Sequence, residues 1–119
     1  MPASSFAQAL EGRQEVSITV KGRRTGRSIT LPVWFVREGP TLWLLPVQGS
    51  RTQWFRNLQA DPTITVRAGR RRLTATARPF VDPKAAGPVV RKFRAKYTPG
   101  EVARYYAVFD AAVEVSLAP

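Results

Sequence analysis

Cysteine and histidine are both absent from this chain. Without cysteine there is no disulfide framework and no thiol nucleophile. Their joint absence excludes zinc fingers, histidine-ligated haem and a Ser-His-Asp triad. Acidic residues are scarce, eight against nineteen basic ones. Glu11 and Glu15, like Glu38 and Asp61, show no spacing that suggests a carboxylate metal site or an acid/base pair. No metal site and no catalytic side chain is therefore expected. An enzyme built on this chain would take its chemistry from a bound cofactor. Long apolar runs are missing as well, and none approaches the roughly 20 residues that span a bilayer. Ser4, Ser5, Gln8 and Glu11 interrupt the N-terminal segment, so no signal-peptide core is read there. The expectation is one domain over residues 1–119 and a cytoplasmic location, with membrane association left open by the basic charge.

What the chain does contain is an ordinary globular composition. Its hydrophobic fraction is 44%, too high for a disordered segment. A chain of this length buries about two-thirds of its unfolded surface in one core. The net charge is +11, with arginine dominating over lysine. Two readings follow. One is a solvated basic surface; the other is attraction to a polyanion, whether nucleic acid, anionic lipid or an acidic small molecule.

The arginines are not evenly spread. Gly22-Arg23-Arg24-Thr25-Gly26-Arg27 sits between two strand-like runs. Before it, Val16, Ile18 and Val20 alternate with polar residues, and after it Ile29 to Val36 is apolar and β-branched. A turn carrying three guanidinium groups thus lies at the mouth of a sheet. Guanidinium presents a planar fork of donors that matches phosphate and carboxylate. A small anionic ligand is expected there, against the alternative of a solvated hairpin tip.

The remaining pattern alternates strands with a few helices. Ser4 to Leu10 reads as a short helix, with Ser4 or Ser5 as N-cap and Gly12 as stop. Strands are expected at 15–21, 28–37, 41–47, 63–68, 70–81 and 112–117. Pro32 demotes its part of the second strand to an edge or a bulge. Glu38-Gly39-Pro40 reads as a hairpin turn. A helix is expected over Arg51 to Ala60, capped by Ser50 and ended by Asp61-Pro62. Asp82-Pro83 opens another, interrupted near Gly87-Pro88. Pro99 opens a last one, Gly100 to Phe109. The class is mainly β with α, an α+β fold built on a small curved sheet or partial barrel.

Four features together resemble the deazaflavin-dependent nitroreductase family of the flavin/deazaflavin oxidoreductases. They are the Gly22-Arg23-Arg24-Thr25-Gly26 turn, Pro32-Val33-Trp34-Phe35-Val36, the Gly39 hairpin, and Trp54 to Pro62 leading into Ile64-Thr65-Val66. The resemblance spans Glu15 to Ala77. It implies a split β-barrel of the FMN-binding, pyridoxamine-phosphate oxidase-like type. It also implies a reduced deazaflavin, coenzyme F420, as hydride donor to a quinone, nitroaromatic or similar small-molecule acceptor. FMN is the alternative cofactor. The deazaflavin carries a phospholactyl-oligoglutamate tail, a polyanion that suits the arginine turn.

On this resemblance Arg23, Arg24 and Arg27 hold the phosphate and tail, with Thr25 and Gly26 shaping the turn. Pro32, Val33 and Trp34 supply backbone contacts from the following strand. Pro46, Val47, Gln48 and Gly49 pass beside the ring system. Trp54 is a wall of the ring pocket or a core aromatic. Tyr97, Tyr105 and Tyr106 line the substrate side, although a packed helix explains them equally well. Ile29 stands where such proteins commonly carry a further basic residue, and Arg27 is its substitute. Asn57 reads as a cap or an anchor for the turn at Pro62. Other readings are an FMN- or haem-binding split barrel, a cofactor carrier without activity, and a basic nucleic-acid-binding barrel. The strand aromatics fall in a continuous apolar run that reads as core, which argues against the last. A monomer and a homodimer both fit.

Overall fold

Alternation in the first strand sets the sheet. The structure, a computed structural model, describes residues 2–117. Helix α1 spans Pro2–Leu10 and is followed by β1, Glu15–Lys21. Val16, Ile18 and Val20 of β1 are buried, while Ser17 and Thr19 look outward. The rest of the chain runs β2 (Ser28–Glu38), β3 (Thr41–Leu44), α2 (Gln53–Ala60), β4 (Thr63–Ala68), β5 (Arg71–Thr76), β6 (Arg78–Val81), α3 (Pro83–Tyr97), α4 (Pro99–Tyr105) and β7 (Ala111–Ser116). All pairings are antiparallel, in the order β5-β4-β1-β2-β3-β7-β6.

Strand β2 decides the architecture because it changes partner midway. Ser28 to Trp34 pair with β1, and Phe35 to Glu38 pair with β3. The sheet therefore splits at the Trp34-Phe35 step. Ahead of it, one side of β2 faces no strand. Pro32 sits in that half, opposite Ser17, where a residue without an N–H is tolerated. The edge expected from Pro32 is what the fold provides.

Two apolar clusters lie on either side of the sheet. Phe6, Leu10, Phe55, Leu58 and Ile64 close one with the inner residues of β1. Val89, Val90, Phe93, Tyr97, Val102 and Tyr106 close the other. Strand β7 serves both, Val113 and Val115 facing the first and Ala112 the second.

Several local expectations change in the folded chain. The first helix begins at Pro2, so Ser4 and Ser5 lie inside it rather than at its cap. The third strand stops at Leu44 instead of Val47. The fifth strand is two strands, because the chain turns at Ala77 to leave β4 for β7. The Ala77 N–H donates to Pro62 O (2.7 Å) at that corner. Helix α3 runs through Gly87-Pro88 without a break. Its buried face of Ala86, Val89, Val90, Phe93 and Tyr97 outweighs the one backbone bond that Pro88 forfeits. Helix α4 ends at Tyr105, not Phe109, because residues 107 and 108 pair with Val47 and Gln48. Thr52, not Ser50, is the N-cap residue of α2.

Candidate functional site

A cleft of about 500 Å³ opens where β2 leaves β1. One wall is Leu31, Pro32, Val33 and Trp34 of β2, with Glu15 at its end. The facing wall comes from Leu45, Val47, Thr52 and Trp54. Tyr105 and Tyr106 close the third side. The lining is mostly aliphatic and aromatic, with few polar groups, the usual make-up of a small-molecule site.

Trp34 is the fixed surface of this cleft. Tyr97 stacks flat behind it, with ring centres 4.2 Å apart and planes 9° from parallel. Tyr105 meets it edge-on at 5.4 Å. Tyr97 is itself pinned through its hydroxyl, which accepts from the Phe35 N–H (3.0 Å). Its own proton is shared between Gln14 O (2.6 Å) and Phe35 O (2.8 Å). Burial pushes the Tyr97 phenol up to about 12, against the opposing pull of its Phe35 bond. Burial also raises Tyr106 well above the ordinary phenol value, and Tyr97 adds to the effect. Both phenols keep their protons through the neutral range.

The wall formed by residues 45–54 is clamped from a distance. Ser50 donates to the Asp110 carboxylate through its N–H (2.9 Å) and its hydroxyl (2.7 Å). Those bonds hold Asp110 below the usual carboxylate range. Gly49 has φ of 58°, and a Cβ there would collide with Asp110 and Val108. Only glycine allows both the left-handed backbone and that close approach. The Thr52 hydroxyl does not cap α2; it accepts from the Gln48 N–H (2.8 Å) and so closes the loop. The Ala107 N–H donates to Val47 O (2.8 Å), tying the tyrosine side to this loop.

The arginine turn lies beyond the other end of the β2 wall. It is closed by its own backbone, Gly22 N–H to Arg27 O and Gly26 N–H to Gly22 O, both 2.8 Å. The Thr25 hydroxyl accepts from the Arg27 N–H (3.2 Å). Arg23 folds back onto α2, donating through Nη1 to Asn57 Oδ1 (2.7 Å) and through Nη2 to Gln53 Oε1 (2.8 Å). Its own N–H also reaches Asn57 Oδ1 (3.2 Å). Desolvation, then the neighbouring Arg56 and Arg24, hold the Arg23 guanidinium below its ordinary value. Arg24 and Arg27 are exposed and make no side-chain hydrogen bond or ion pair among the described residues. The turn is thus a docked element that presents two unsatisfied guanidiniums.

Residues 3–115 match the F420H(2)-dependent quinone reductase family. The chain belongs to that family. It is an oxidoreductase, its cofactor is reduced F420, and its reaction class is hydride transfer to quinone-like acceptors. Between F420 and FMN, the family decides for F420. Solved structures agree on the fold. An F420-H2 dependent reductase, FDR-A, is 22% identical with a TM-score of 0.67, covering 87% of this chain and 95% of that one. A candidate pyridoxamine 5′-phosphate oxidase from Listeria innocua is 13% identical with a TM-score of 0.70, covering 97% and 92%. A domain-swapped dimer is 20% identical with a TM-score of 0.68, covering 95% of each chain. The fold is the split β-barrel expected from the sequence. No helix among the described residues is long and apolar enough to cross a membrane.

With the family settled, the predicted residues of this reductase sort into four places. Pro32, Val33, Trp34, Val47, Trp54, Tyr105 and Tyr106 line the cleft together. Pro46, Gln48 and Gly49 shape the loop behind its wall instead of lining it. Tyr97 is 2% exposed and backs Trp34 without facing the cleft. Arg23, Arg24, Thr25, Gly26 and Arg27 form the separate turn, and Arg23 is bound to α2 rather than free. Asn57 anchors this turn through its side chain, while its backbone oxygen accepts from the Asp61 N–H (2.9 Å) at the end of α2. Sequence reasoning missed Glu15, Leu31, Leu45 and Thr52 in the lining, and Gln53, Arg56 and Asp110 around it. The register that sets Glu15 opposite Trp34 would have found the first.

Proposed function

We propose that the cleft between Trp34, Trp54 and the tyrosines holds the deazaflavin ring and the quinone, and that Arg24 and Arg27 hold the anionic tail. The observation that carries this reading is the free edge of β2 over Ser28 to Trp34, which joins the cleft to the turn. From Arg27 to Leu31 is four residues, about 13 Å of strand, a span suited to a ligand with a flat head and a charged tail. The residues fit such a group: an apolar aromatic cleft at one end and unsatisfied guanidiniums at the other. Bound F420 in its reduced form supplies a hydride to the acceptor.

The protein's part is positioning. Trp34, braced by Tyr97, gives a flat surface that fixes ring height, and Val47 and Trp54 exclude water from the opposite side. Tyr106 holds its proton, so its Oη is a donor to an acceptor oxygen that gains negative charge. Charge-assisted bonds from Arg24 and Arg27 contribute about 1.5–3 kcal/mol each. Their joint replacement by alanine should therefore raise the F420 Kd by about two to four decades. Fluorescence titration with F420 measures this, and an unchanged Kd would remove the turn from the site. The domain-swapped relative supports reading the chain as a homodimer; light scattering giving a monomer mass would overturn that.

A further inference from the structure

Asn57 is a buried amide in a helix, 4% exposed. Its oxygen accepts two bonds from one residue 34 positions earlier, at 2.7 and 3.2 Å. Gln53, one turn before it on the same helical face, takes the other arm of that guanidinium at 2.8 Å. The hairpin does not need this anchor to close, because the bonds of Gly22, Gly26 and Thr25 already close it. The anchor also gathers like charge. After desolvation, the nearby Arg56 and Arg24 guanidiniums oppose the protonated form of Arg23. An arrangement that concentrates positive charge against its own stability suits an anionic ligand better than a purely structural tie.

The same short helix carries Trp54, which lines the cleft. Helix α2 therefore touches both ends of the proposed site. Trp54 faces the ring end, and Gln53 with Asn57 grips the tail end.

We infer that Asn57 is a positioning residue for cofactor binding, which clamps Arg23 as a strut so that Arg24 and Arg27 are presented to the anionic tail. This rests on the reading of the turn as the tail site. Arg23 is then a brace, and the free fork count at the turn is two rather than three. The ligand recognised is the phosphate-carboxylate tail and not the ring.

The test uses the full chain and two probes, F420 and the corresponding deazaflavin nucleoside that lacks phosphate and tail. Asn57→Ala should weaken F420 binding about tenfold or more, while the affinity for the tailless probe changes less than about twofold. KM for F420 should rise more than kcat falls. Combining Asn57→Ala with Arg23→Ala should cost no more than the worse single change, because both remove one strut. Arg23→Lys keeps the charge and loses the fork. It should reproduce the tail-specific loss, and it carries the test if Asn57→Ala does not fold. Equal weakening of both probes overturns the inference, since a merely structural defect would do that. Unchanged F420 affinity in Asn57→Ala or Arg23→Lys also overturns it. If Arg24→Ala with Arg27→Ala leaves F420 affinity intact, the tail-site reading itself has failed, and that outcome is separable from the failure of Asn57.

Discussion

The cleft and the arginine turn are built on opposite principles. The cleft is an apolar slot whose walls come from distant stretches, residues 31–34 with Glu15, 45–54 and 105–106. Its surfaces are rigid because aromatic rings stack behind them. The turn is a local, self-bonded loop of six residues with exposed charge, tied to α2 through one residue, Arg23. The cleft discriminates by shape and the turn by charge. The difference teaches why a protein without histidine or cysteine can still be a reductase. Chemistry resides in the cofactor, and in the proposed reading the chain supplies one surface for each half of it.

Perturbing each region separately sharpens that contrast. The largest effect belongs to the cleft. Trp34→Ala removes the stacked surface and should cost about 3 kcal/mol of stability, read by denaturant unfolding. It should also lower kcat/KM for the acceptor by at least about tenfold, or about 1.4 kcal/mol in the transition state. Retained turnover would mean that the ring does not rest on Trp34. Next comes Glu15, the lining carboxylate. Glu15→Gln should raise the ratio of kcat/KM for an anionic quinone over a neutral one by about three- to tenfold, as expected for one charge nearby. A ratio that does not move would place the acceptor away from Glu15.

The smallest effect tests the brace. Tyr97→Phe loses bonds to Gln14 and Phe35 and should destabilise by about 1 kcal/mol at neutral pH. Its pH signature is more telling. The folded phenol titrates near 12, above its unfolded value. Between about pH 10 and that value the unfolded chain releases a proton that the folded chain keeps, so stability falls as pH rises. Tyr97→Phe should reduce this alkaline decline in unfolding curves and leave the part that Tyr106 contributes, and an undiminished decline would place its source elsewhere.

Local signals explain how much could be read in advance. The alternation of Val16, Ile18 and Val20, the Gly-rich arginine turn and the Asp82-Pro83 helix start are written within a few residues. All three stand where expected. Pro88 and the 70–81 strand misled, because helix packing and a change of strand partner are decided far along the chain. Seven of the proposed cleft residues were legible as aromatic or strand positions. Glu15 was not, since its place depends on register against Trp34.

The sequence by itself determined the alternation of β1, the charge at the turn and the lack of histidine and cysteine, because periodicity, composition and turn residues act over short distances. Tertiary structure alone decided which arginine is spent and which are free, since Asn57 lies 34 residues from Arg23. It alone decided the second wall of the cleft, where Ser50 meets Asp110 across 60 residues. Hydrogen bonds and stacking between remote segments follow from the packing of the whole chain, and no local pattern encodes them.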